Sequence, residues 1–153
     1  MSRIAQILAT AALALTVAVP AAAKSEQVER GDADTYLFDL LKKPAYRKVW
    51  RSQIVPHTPK KHGYWIKNAN GPTAPEEPVS VEGRRYLAST LCEPHNCISN
   101  TLYILINKQR AVVLYRERQA VEGTTDFRYS DHYYGKPTAA EKEALQKLVP
   151  ADE

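Results

Sequence analysis

The chain has 153 residues, 44% hydrophobic and 25% charged, the profile of one globular domain rather than a disordered, collagen-like or coiled-coil chain. Lys and Arg number 21 against 17 Asp and Glu, a net +4, and no long basic run stands out, which argues against nucleic-acid binding by a basic tail. Two cysteines are too few for a four-thiolate zinc site or a disulfide-dense scaffold.

Residues 1–23 read as a cleavable secretory signal peptide: Arg3, then an apolar run from Ile7 to Val19, then Ala21-Ala22-Ala23 as small residues before the cut. The run is short of the roughly 20 residues a spanning helix needs. No cysteine immediately follows the cut, so no stable membrane anchor is expected after cleavage. Export would place Cys92 and Cys97 in an oxidising compartment, the periplasm if the source is bacterial, as the short signal suggests.

Residues 24–34 are polar and expected to be flexible, ahead of a single domain over 35–150. Asp34 is placed to cap a helix over Thr35–Leu41, with apolar residues at 37, 40 and 41. Pro44 either ends that helix or begins the next. Ala45–Ile54 carries Tyr46, Val49, Trp50 and Gln53 along one face. From Val55 to Glu77 the chain is loop-rich. Its apolar island, Tyr64-Trp65-Ile66, is expected to pack at the core edge. Glu76 and Glu77 are expected to be a solvated charge pair.

From Pro78 the period changes. Val79-Ser80-Val81, a Glu82-Gly83 turn and Arg84–Cys92 read as a hairpin. Asn100–Ile106, Ala111–Arg118 and Thr124–Tyr134 follow as strands. Thr138 and Glu141 form a capping box for a last helix that buries Ala144, Leu145 and Leu148 and stops at Pro150. Clustered strands predict an α+β fold: a central antiparallel sheet with N-terminal helices and a C-terminal helix packed on it.

The most pointed feature is Cys92-Glu93-Pro94-His95-Asn96-Cys97. In an oxidising compartment the two cysteines should pair. The ring is short, so it is a local staple more than a global crosslink. Pro94 fixes its own φ, and His95 would sit at the tip of a stiff loop. One reading is a surface disulfide loop with an incidental histidine. A metal site fits poorly, because oxidised cysteines cannot ligate and His57, His62 and His132 show no ligand spacing to His95. Thioredoxin-like chemistry uses two intervening residues, not four. A cysteine nucleophile needs a free thiol. The functional reading is a presented imidazole, which a cleft with two carboxylates, as in glycoside hydrolases, would receive.

No Ser/His/Asp order, glycine-rich phosphate loop or His-rich metal helix appears. No catalytic residue, cofactor or metal is therefore expected. A different class of function is an envelope binding module using Tyr64, Trp65, Tyr133 and Tyr134, though packing is the preferred role for these rings.

The Cys-x-Pro-His-x-Cys loop resembles that of the Ivy family, periplasmic inhibitors of vertebrate (c-type) lysozyme, in which it reads Cys-Lys-Pro-His-Asp-Cys. The resemblance continues through Gly71-Pro72-Thr73-Ala74-Pro75, Val79-Ser80-Val81, Tyr86, the following strands and the final helix, roughly Ala45 to Leu148. It implies a central sheet with packed helices and a loop that enters the lysozyme cleft. There the loop histidine, His95 here, hydrogen-bonds both catalytic carboxylates. Glu93 and Asn96 depart from the family lysine and aspartate, so any ion pair made by those loop charges is lost or reversed. A positively charged inhibitor also lacks the opposite charge that speeds encounter with basic lysozymes. Weaker or slower binding is expected, with another muramidase or a lytic transglycosylase as the alternative target. Oligomeric state is left open between monomer and homodimer.

Overall fold

The computed structural model describes residues 35–151. The signal-peptide reading, the 24–34 segment and the Asp34 cap lie outside the described residues.

Five strands form one antiparallel sheet in sequence order: β1 (Glu77–Val81), β2 (Arg84–Cys92), β3 (Asn100–Ile106), β4 (Ala111–Ala120) and β5 (Phe127–Tyr134). The β1–β2 turn is the predicted Glu82-Gly83 pair. Both residues have positive φ, 49° and 75°, the backbone that lets a two-residue loop match strand twist. The register sets Leu91 opposite Leu102 and Ile104 opposite Val113.

Helices cover both faces, so the central strands are buried almost continuously instead of alternating. On one face Leu87, Leu91, Leu102, Ile104, Val113 and Tyr115 meet the N-terminal helices. On the other, Tyr86, Ala88, Tyr103, Leu105, Val112 and Leu114 meet α4 (Ala139–Gln146) through Leu145. The fold is α+β, with helices at both ends of the chain packed on the sheet.

The N-terminal layer is α1 (Leu37–Leu40), α2 (Pro44–Gln53) and α3 (Gly63–Ile66), with two 3-10 turns between α2 and α3. Helix α1 is shorter than the sequence suggested, because Tyr36 is extended and bridges Pro75. Pro44 begins α2, in the first turn where its missing N–H is not needed. Tyr46, Val49 and Trp50 are buried as predicted. Gln53 instead clamps the β3–β4 turn: its Nε2 donates to the Gln109 carbonyl at 3.1 Å, and its Oε1 accepts from the Ala111 amide at 3.0 Å. Strand β5 starts later than Thr124, because the Val121 amide closes a turn onto the Asp126 carbonyl at 3.0 Å.

Two expectations are corrected. Glu76 and Glu77 are not a solvated pair. Glu77 is exposed on β1, but Glu76 is fully buried. Its amide donates to the Thr35 carbonyl at 2.8 Å, and its Oε2 accepts from Thr35 Oγ1 at 3.1 Å. Its Oε1 has no hydrogen-bond partner among the described residues. Burial raises the Glu76 pKa to about 7. Second, the aromatic island splits. Trp65 and Ile66 are in the core, where the Ile66 carbonyl accepts from Trp50 Nε1 at 2.9 Å, but Tyr64 is 59% exposed.

Helix α4 has the predicted capping box. Glu141 also holds Arg110 through two 2.6 Å bonds and accepts from Tyr86 Oη. Burial opposes its ionisation. Arg110, Tyr86 and the Thr138 amide outweigh that and lower its pKa to about 2.

Candidate functional site

The six-residue loop joins β2 to β3 at one end of the sheet. Cys92 and Cys97 are disulfide-bonded, with Cα atoms 4.8 Å apart. Inside the ring the Asn96 amide donates to the Glu93 carbonyl at 3.0 Å, so Glu93-Pro94-His95-Asn96 is a β-turn. Proline second and a positive φ third, 64° at His95, are the pattern of a type II turn. That third position favours glycine. Histidine occupies it at a cost of order 1 kcal/mol, and its ring stands exposed at the apex.

The base of the loop is pinned from two sides. The Cys92 amide donates to the Pro72 carbonyl at 3.0 Å. Beside it, a Cβ on Gly71 would stand 2.1 Å from the Cys92 carbonyl oxygen, so only glycine lets the 71–73 segment lie this close. On the other side, the Glu93 amide donates to the Asn100 carbonyl at 3.0 Å, and Thr101 Oγ1 donates to the Cys97 carbonyl at 2.8 Å.

The Glu93 side chain turns inward and is only 12% exposed. Its carboxylate accepts from Tyr64 Oη at 2.8 Å, Asn96 Nδ2 at 2.8 Å and Asn100 Nδ2 at 2.6 Å. Burial works against ionisation, but these donors and nearby His62 outweigh it and hold the pKa below the usual carboxylate range. The chain of bonds continues into the core. Tyr115 Oη donates to Asn100 Oδ1, so His62 Nε2, 2.9 Å away, donates to Tyr115. The loop is thus wired to a buried Tyr-His pair 53 residues apart in sequence.

Among the described residues, no group of three or more His, Cys, Asp and Glu is placed to hold a metal ion. All six predicted loop residues are brought together, and His95 and Asn96 are exposed. Sequence reasoning missed Asn100 and Tyr115, and it named Tyr64 and His62 without linking either to the loop. Asn100 left a trace only as a polar residue opening an apolar strand.

The family model described as "Inhibitor of vertebrate lysozyme (Ivy)" matches residues 56–149. The chain belongs to this family. The matched span holds the loop, the whole sheet and α4, and begins after α2, later than the sequence resemblance suggested. A Pseudomonas aeruginosa protein named "Inhibitor of vertebrate lysozyme" is 27% identical over 146 residues, covering 90% of this chain and 93% of that protein. An uncharacterized protein of Yersinia pestis is 24% identical over 72 residues, 47% of this chain and 46% of that one.

Within this Ivy-family loop the two departures from the usual motif are partners: Asn96 Nδ2 bonds Glu93 Oε2. In the free protein the Glu93 carboxylate thus faces into the loop. It is the internal acceptor around which the turn is built. Ile98, 72% exposed, and Tyr64 stand beside the loop as uncovered apolar surface.

Proposed function

We propose that this protein is a periplasmic inhibitor of a c-type lysozyme that inserts the Cys92–Cys97 loop into the active-site cleft and sets His95 against the two catalytic carboxylates. The supporting observation is the apex geometry: a histidine with positive φ, exposed inside a disulfide ring, on a turn built around a buried-side carboxylate. A protonated imidazole donates from both nitrogens and so satisfies two carboxylates at once. Glycoside hydrolysis needs one of these as a proton donor and the other as base or nucleophile. Occupying both stops the reaction with no covalent step. The pinned loop loses little conformational entropy on binding, so its contacts count toward affinity. Ile98 and Tyr64 give the rim apolar area. Reaching the periplasm rests on the leader reading of residues 1–23, with 24–34 a tether to the 35–150 domain.

The test is competition. Calorimetric titration of the oxidised protein into a c-type lysozyme should show binding that a cleft-filling chitooligosaccharide abolishes. Binding that persists with the cleft filled would place the contact elsewhere. A second target, a less basic muramidase or lytic transglycosylase, is favoured by the inhibitor's own positive charge. In that case the same titration gives no heat with c-type lysozyme.

A further inference from the structure

Between Thr35 and Asn70 the chain carries eight Lys and Arg and a single acid, Asp39, so the N-terminal layer holds a positive surplus larger than the whole molecule's. Part of it surrounds a concavity of about 200 Å³ lined by Phe38, Lys42, Arg47, Arg51, Lys67 and Asn68. Asp39 is committed to Lys42 at 2.6 Å. Arg47, Arg51 and Lys67 are exposed and have no acidic partner among the described residues. Arg47 and Arg51 are four apart on α2, a like-charge spacing that destabilises a helix and that an anion between them would reverse.

The concavity does not end there. Phe38 and Asn68 also line an adjoining groove of about 580 Å³ that runs past Asn70 and Gly71 to Pro94 of the loop. The Phe38 ring stacks on Tyr36 with centroids 5.5 Å apart and planes 4° apart, and both rings are about two-fifths exposed. An exposed aromatic face, two amide side chains and a cation cluster along one groove match the apolar face, hydroxyls and acid groups of a charged sugar.

We propose that this groove binds an anionic saccharide, its sugar ring against Phe38, its hydroxyl or acetamido groups on Asn68 and Asn70, and its carboxylate or phosphate between Arg47, Arg51 and Lys67. The groove's approach to Pro94 gains meaning from the inhibitory reading, since the inhibitor would then hold the class of polymer its target cleaves. The cation cluster stands without that reading.

The experiment is co-sedimentation of the leader-free protein, residues 24–153, with insoluble peptidoglycan, whose charge is carboxylate. Parallel arms use lipopolysaccharide vesicles, whose charge includes phosphate, neutral chitin and duplex DNA. An Arg47→Gln/Arg51→Gln variant is run beside the wild type in each. Both side chains are exposed, so the fold should hold. The expected result is binding to peptidoglycan, lipopolysaccharide or both, which assigns the anionic group. Binding should be weakened at least about tenfold in the variant and by about 0.5 M salt, with lysozyme inhibition not weakened. No binding to either anionic saccharide, equal binding by the variant, or equal binding to DNA would overturn the proposal. So would binding that emerges only when residues 24–34, which include Glu26, Glu29, Asp32 and Asp34, are removed, because it would make that segment the occupant.

Discussion

His95 carries the inhibitory reading, and its backbone gives a clean way to test it. Replacement by alanine removes the imidazole but keeps the strained φ. Replacement by glycine removes both. His95→Gly should keep its unfolding free energy, read from urea melts, within about 1 kcal/mol of wild type, because relief of strain offsets the added freedom of the unfolded chain. It should still lose inhibition, since buried contacts of this kind are hot spots. Glu93 acts at one remove. Glu93→Ala leaves Tyr64, Asn96 and Asn100 without their shared acceptor and should cost about 1–2 kcal/mol. Its amide exchange should rise within 93–100 rather than across the sheet. Glu76 behaves oppositely. Its folded pKa, near 7, lies above the ordinary value of 4.5, so the folded state holds the proton more tightly. Stability therefore falls as pH rises from about 4.5 to about 7 and then levels. Glu76→Gln should raise stability by about 3 kcal/mol at pH 8 and leave it nearly unchanged at pH 4.5, as thermal melts at the two pH values will show. Asp39 pushes this pKa up and Lys43 pulls it down.

Element boundaries were legible where the cause is local. The Thr138 cap and the Glu82-Gly83 turn each follow from the backbone preference of a few neighbouring residues, and Pro44, which could have ended one helix or begun the next, begins α2. What escaped the sequence depends on distant partners. Tyr64 lies in the same apolar island as Trp65 and Ile66. Only the fold shows that the Tyr64 ring points to Glu93 and the other two side chains to the core. Glu76 looked solvated beside prolines, but Thr35, 41 residues away, sits against it. The loop was the reverse case: its spacing, proline and histidine predicted its place, though not the inward turn of Glu93. Helix α4 supplies the test at this scale. Glu141 serves its cap, Arg110 and Tyr86 together, so Glu141→Ala leaves a half-buried Arg110 unpaired and should cost about 3–5 kcal/mol. With a folded pKa of about 2 against 4.5, its contribution is present above about pH 4.5 and is lost as pH falls toward 2. Urea melts across that range check both statements.

For the whole molecule, the sheet is a rigid platform with different duties at its parts. Its β2–β3 end carries the loop, and its N-terminal helical layer carries the positive charge. Approach to a basic lysozyme is therefore opposed by long-range repulsion even if the seated complex is tight. Raising ionic strength from about 10 mM to about 150 mM should increase the association rate, the reverse of a steered complex. Stopped-flow rates that fall with salt would contradict this charge picture. The inhibitory claim itself is tested most directly by the clearing of bacterial cell walls by a c-type lysozyme. Oxidised protein, residues 24–153, is titrated in beside the His95→Gly variant. The expected result is saturable inhibition by wild type and an at least 100-fold weaker effect from an equally stable variant, about 3 kcal/mol of binding energy. Equal inhibition by the two proteins would contradict the assignment of His95 as the group that occupies the cleft.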